Sequence, residues 1–81
     1  MIRAVIIEDE EPAMARLTRM IAELDPTIQV VQNLVSVTSS IRWLEEHSVD
    51  LIFMDVHLAD GISFEIFKHV RITCPTIFVT A

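Results

Sequence analysis

Ile2-Arg3-Ala4-Val5-Ile6-Ile7-Glu8-Asp9-Glu10-Glu11-Pro12 decides the fold: an apolar run of strand formers stops abruptly in acids, and a proline stands where a helix begins. The pattern returns at Leu51-Ile52-Phe53-Met54-Asp55, again with a carboxylate at the end. In an open parallel α/β sheet, ligands bind outside the carboxyl ends of the strands, so acids closing two adjacent strands meet at one spot. Glu8, Asp9 and Asp55 thus offer three converging carboxylates, a donor set suited to a hard divalent cation, Mg²⁺ above all.

Outward from these runs the chain alternates regularly. The first strand covers about 2–7 and a helix starts from about 12, with Met14, Leu17, Ile21 and Leu24 at helical spacing until Asp25-Pro26 stops it. Ile28, Val30, Val31 and Leu34 mark a second strand, and Val37, Ile41 and Leu44 one face of a second helix whose start is blurred by Ser36, Thr38, Ser39 and Ser40. Asp50 leads into the third strand at 51–54, and Asp60-Gly61 marks a turn. Ser63 is placed to cap a third helix carrying Phe64, Phe67 and Val70 or Arg71, and Thr76 to Thr80 reads as a fourth strand. The order βαβαβαβ implies right-handed crossovers and a doubly wound parallel sheet with helices on both faces.

Composition narrows the function. The 81 residues suit one small domain, of a size that buries roughly 60% of its surface on folding. Twelve acidic residues against six basic ones, a net charge of −6, argue against direct nucleic-acid binding, which needs clustered Lys and Arg. Gly61 is the only glycine, so neither glycine-rich phosphate loop is present. Strand-like sequence from Ile2 leaves no room for a signal peptide, and no apolar run approaches the roughly 20 residues of a membrane span; a cytoplasmic location is expected. Cys74, the only cysteine, can form no intrachain disulfide and reads beside Pro75 as a small buried hydrophobe.

Each acid also has an ordinary structural reading. Glu8-Asp9-Glu10-Glu11 stand where acids favour a helix's first turn, and Asp55 can close a turn through its own backbone. Thr80 weighs against coincidence, because it puts a third oxygen group at the end of a third apolar strand on the same edge. A carboxylate nucleophile accepting a phosphoryl group needs a cation to neutralise the transferring oxygens and the neighbouring acids. A hydroxyl at the next strand end could then bind the new oxygens and turn a local charge change into a surface change.

At Ile6-Ile7-Glu8-Asp9-Glu10-Glu11-Pro12, Asp50-Leu51-Ile52-Phe53-Met54-Asp55 and Thr76-Ile77-Phe78-Val79-Thr80-Ala81 the sequence resembles the receiver domain of two-component response regulators. The resemblance implies a flavodoxin-like fold and a phosphorelay role in signal transduction rather than an enzyme's. It implies that Glu8 and Asp9 form an acidic Mg²⁺ pocket and that Asp55 is the phosphoacceptor. The backbone carbonyl of His57 would complete the metal shell, its imidazole facing solvent, while Thr80, with Ala81 beside it, would contact the phosphoryl group and act as the switch. It further implies a sensor histidine kinase as phosphoryl donor. The Asp9-Glu10-Glu11-Pro12 opening and Ser63-Phe64-Glu65-Ile66-Phe67 look most like receivers that precede LytTR-type DNA-binding output domains.

Two departures accompany the resemblance. The loop Val56-His57-Leu58-Ala59-Asp60-Gly61 lacks the family's common proline and reaches its glycine about two residues early. Family receivers also run on through a fourth helix, fifth strand and fifth helix, so residues 1–81 read as a single partial receiver domain. The fifth strand carries a lysine that pairs with the phosphoryl group, and no basic residue here sits at an equivalent position, so phosphotransfer is expected to be impaired or absent. The run 76–80 would become an apolar edge that pairs with another copy, giving a homo-oligomer or a strand-swapped dimer. Two other classes stay open: a structural or dimerising α/β module whose acids only cap helices, and a haloacid dehalogenase-type phosphatase, which typically needs a second acid where His57 stands.

Overall fold

The computed structural model describes residues 1–79. Thr80 and Ala81, assigned above to the switch, lie outside the described residues. Strand β1 spans Ile2–Ile7, helix α1 Glu11–Leu24, β2 Ile28–Leu34, α2 Val37–Glu46 and β3 Leu51–Met54. Two short strands follow, β4 at His57–Leu58 and β5 at Gly61–Ile62, then a 3₁₀ turn at Ser63–Glu65, α3 at Ile66–His69 and β6 at Thr76–Phe78.

The main sheet is parallel with order β2-β1-β3-β6, the first four places of the flavodoxin-like 2-1-3-4-5 arrangement. This is the doubly wound α/β architecture expected from the alternation of elements. Strand β1 lies inside, and Ala4, Val5, Ile6 and Ile7 are all fully buried, which explains its continuous apolar run without the alternation of a half-exposed strand. Its side chains still divide by parity. Val5 and Ile7 join Leu34, Leu44, Ile52, Met54, Leu58 and Ile66 in the core under α2 and α3. Ala4 and Ile6 join Ile21 and Phe53 on the other face, where Met14 and Leu17 of α1 pack.

Three sequence expectations are corrected after β3. Ser63 caps no helix: it starts the 3₁₀ turn, is fully buried, and its Oγ has no hydrogen-bond partner. The α-helix that follows is a single turn, and Val70 is already extended at its end. A one-turn helix has no sustained face, so the Phe64/Phe67 spacing misleads. Ile66 fills the core instead, while Phe64 and Phe67 lie half-exposed with ring centroids 5.3 and 6.4 Å from that of Phe78 on β6. The fourth long strand is also shorter than 76–80 among the described residues, ending at Phe78.

The early glycine has a structural counterpart. His57 pairs with Ile62 and Leu58 with Gly61, so Ala59-Asp60 form the two-residue tip of an antiparallel hairpin. Gly61 sits at φ +147°, a region that L side chains rarely adopt, and the single glycine is therefore spent on closing this tight turn.

Candidate functional site

Backbone hydrogen bonding sets the positions of the acids before any side chain acts. Ile7 lies in register with Met54, and the next step of the ladder is the Asp55 N–H donating to the Ile7 carbonyl at 2.9 Å. On the other side of β1, the Glu8 N–H donates to the Leu34 carbonyl at 2.9 Å. Glu8 and Asp55 thus emerge side by side at the carboxyl edge of the sheet, where Asp9 follows on the loop to α1. One carboxylate oxygen from each of Glu8, Asp9 and Asp55 lies within 4.8 Å of the others, and all three residues are half-buried.

Crowding is visible in the titration of Glu8. Partial burial raises its carboxyl above the ordinary range; the Glu10 N–H at 3.0 Å pulls the other way, while a hydrogen bond with Asp9 and the charges of Asp55 and Asp9 raise it further. Glu8 therefore combines two of the roles weighed above. It accepts the backbone N–H of Glu10, the residue just before α1, and it belongs to the acidic cluster. Asp9 and Asp55 accept no such backbone N–H among the described hydrogen bonds, and the first turn of α1 takes its acid from Glu11.

An open cleft of about 610 Å³ lies over the cluster, walled by Asp9, Glu10, Asp55, His57, Leu58 and Ala59. A second, of about 320 Å³, runs beside α1, lined by Arg16 and Val79 as well as by Glu8 and Asp55. Glu10 borders both clefts, a position the acid run alone did not single out. Arg16 was not singled out either, because nothing in the spacing of α1 marks which of its exposed residues border the cleft. His57 is exposed on β4, and the loop that carries it is held by the buried Leu58 and by the Ser63 N–H donating to the Val56 carbonyl at 2.8 Å. The single lysine, Lys68, sits on α3 with its Nζ 3.2 Å from Glu65 and lines neither cleft.

The donor set fits a small hard cation. Mg²⁺ keeps oxygen ligands at about 2.0–2.1 Å, so opposite ligands in its octahedron stand about 4.1 Å apart. Carboxylate oxygens already within 4.8 Å of one another need only a small contraction, or an intervening water, to share one ion. No helix of the described residues is long and apolar enough to cross a membrane.

A family model described as the response regulator receiver domain matches residues 4–81. Among solved structures, a variant of the anti-anti-sigma factor PhyR from Bartonella quintana is 27% identical, covers 99% of this chain and 34% of its own, and has a TM-score of 0.78. The MaeR response regulator bound to beryllium trifluoride is 24% identical over 100% of this chain and 68% of its own, with a TM-score of 0.80. The receiver domain of PhyR from Erythrobacter litoralis is 23% identical over 99% of this chain and 63% of its own, with a TM-score of 0.82. The chain thus spans about a third of the first PhyR chain and about two-thirds of MaeR. No curated protein sequence matches it.

Proposed function

The chain belongs to the response regulator receiver domain family, matched over residues 4–81, and on that premise we propose that Asp55 accepts a phosphoryl group from the phosphohistidine of a sensor kinase. The observation that carries this reading is the meeting of Glu8, Asp9 and Asp55 at the ends of β1 and β3, with their oxygens within 4.8 Å and an open cleft above. In the transfer, a carboxylate oxygen of Asp55 forms the new P–O bond as the P–N bond to the kinase histidine breaks, and the pair of electrons leaves with the imidazole. Glu8, Asp9, Asp55 and the backbone carbonyl of His57 would hold Mg²⁺, which supplies positive charge against the transferring oxygens. MaeR, similar in fold to this chain, binds beryllium trifluoride, a trigonal anion that becomes tetrahedral when a carboxylate oxygen completes its coordination and then has the shape of the group Asp55 would carry once phosphorylated.

The Thr80 hydroxyl, with the Ala81 backbone next to it, would then bind the phosphoryl oxygens and carry the change to an output surface. The output is read as a LytTR-type DNA-binding domain, acting in the cytoplasm. The haloacid dehalogenase alternative has no structural support, since the second position after Asp55 is the exposed His57.

A self-associating reading also has a specific observation behind it. Strand β6 is at the edge of the sheet among the described residues, with Ile77 and Phe78 nearly half exposed, and an apolar edge of that kind pairs with a second copy. The two readings are compatible, and one experiment tests the first. Prolonged incubation with Mg²⁺ and acetyl phosphate is expected to give a single labile phosphoryl adduct by mass spectrometry that Asp55→Asn lacks, formed slowly because the single lysine, Lys68, lines neither cleft. An adduct of the same yield in Asp55→Asn, or none in the wild type, would overturn it.

A further inference from the structure

The first turn of α2 exposes backbone N–H groups that its own sequence does not satisfy. Ser36, the N-cap, accepts the Ser39 N–H on its Oγ at 3.0 Å, but the first turn contains no acid. The Val37 and Thr38 N–H groups are taken by Asp60, more than twenty residues away at the tip of the β4–β5 hairpin. Val37 donates to Oδ1 at 2.8 Å, Thr38 to Oδ2 at 3.1 Å, and the Thr38 hydroxyl also reaches Oδ2 at 3.2 Å. The bidentate grip places a full negative charge at the positive end of α2, the favourable sense of the helix dipole. These N–H bonds hold the Asp60 carboxyl below its ordinary range.

The gripped hairpin is also the wall of the acidic cleft. Asp55 to Ala59 line it, and the chain from Asp55 to Asp60 has few free joints: Leu58 is buried, Val56 is bonded to Ser63, and the two-residue tip closes through Gly61. Tethering the tip to α2 therefore fixes where the backbone at His57 stands relative to Asp55. We propose that Asp60 is a positioning residue for the acidic cleft, acting through the His57 backbone and coupling the cleft to the N-terminus of α2. The role rests on the metal-binding part of the function proposed above. Coupling is reciprocal: if the tethered loop favours the cation, the cation must favour the tether. The pairing is also specific to the short loop, because a two-residue hairpin is what puts residue 60 at the tip.

The test uses the full chain and Mg²⁺ alone as probe, followed by amide chemical shifts and hydrogen exchange. Mg²⁺ is expected to slow exchange at Val37 and Thr38 in the wild type. Asp60→Ala is expected to abolish that slowing and weaken Mg²⁺ binding by about tenfold, the range found when a residue supporting a metal ligand is removed. Asp60→Asn, which keeps one acceptor oxygen for Val37 but cannot accept from Thr38, is expected to fall between the two. Thr38→Val, which removes only the hydroxyl contact, serves as a variant in which α2 keeps its N–H bonds and should bind Mg²⁺ nearly as the wild type does. Wild-type affinity in Asp60→Ala, whatever its melting temperature, would overturn the inference and leave the proposed function standing. Absence of Mg²⁺ binding in the wild type would instead overturn the proposed metal site, and this inference with it.

Discussion

The Asp55 N–H donates to the Ile7 carbonyl at 2.9 Å, so the candidate nucleophile is hung on the strand that carries Glu8. Ile7 pairs with Leu34 of β2 on one side and Met54 of β3 on the other, and its side chain is fully buried in the core under α2 and α3. Ile7→Ala is expected to cost about 2–5 kcal/mol, against about 0.5–1.5 kcal/mol for Ile7→Val. A chain of this length holds about 4–12 kcal/mol in all, so the alanine variant should be substantially destabilised in urea titrations. Equal midpoints for the two variants would contradict the packing described for β1.

Glu8 and Asp25 titrate with opposite consequences for stability. Glu8's carboxyl is raised, first by burial, so its contribution is complete below the ordinary glutamate range and is lost as pH rises through the folded value. Asp25's carboxyl is lowered, first by the Thr27 hydroxyl at 2.6 Å and then by the Thr27 N–H at 2.9 Å. Its contribution is complete above the ordinary aspartate range and is lost as pH falls through the folded value. Melting curves in the presence of a chelator should therefore show Glu8→Gln gaining on the wild type as pH rises from the carboxylate range, and Asp25→Asn gaining as pH falls below it. Differences that stay constant with pH would contradict both assignments.

Gly61→Ala isolates the backbone cost of the hairpin turn. A Cβ there would meet only Val37 Cγ2 at 3.7 Å, an ordinary contact, so the space is available. The φ of +147° is not available to alanine without strain, and a loss of about 1–3 kcal/mol is expected by equilibrium unfolding. A neutral substitution would mean that the turn readily adopts another shape.

The half-exposed rings of Phe64, Phe67 and Phe78 meet at the β6 edge of the sheet. Phe78→Glu places a charge in this group and on the edge strand, the usual device against strand pairing. The wild type is expected to grow in mass with concentration by light scattering, and the variant to stay at the mass of one chain. A wild type that remains a monomer at high concentration would sink the self-association reading.

Much of the fold was legible because its signals are local. Apolar runs ending in acids gave β1 and β3 directly, and Pro12 with Met14, Leu17 and Ile21 marked α1 to within a residue of its start at Glu11. The segment after Asp55 was less legible. Ser63 looked like a cap and Phe64/Phe67 like a helical face because short-range spacing cannot reveal that the helix lasts one turn, or that Ile66 is the residue the core accepts.

The candidate site divides the same way. By itself the sequence determined which carboxylates stand at strand ends, since strand identity follows from residue type and period, and hence that Glu8, Asp9 and Asp55 share one edge of a parallel sheet. Only the tertiary structure decided that their oxygens come within 4.8 Å, that Glu8 also accepts the Glu10 N–H, and that Asp60 serves a helix more than twenty residues away. Those facts depend on strand register and on a hairpin whose tip meets the first turn of α2. Contacts between residues far apart in the chain leave no local pattern to read.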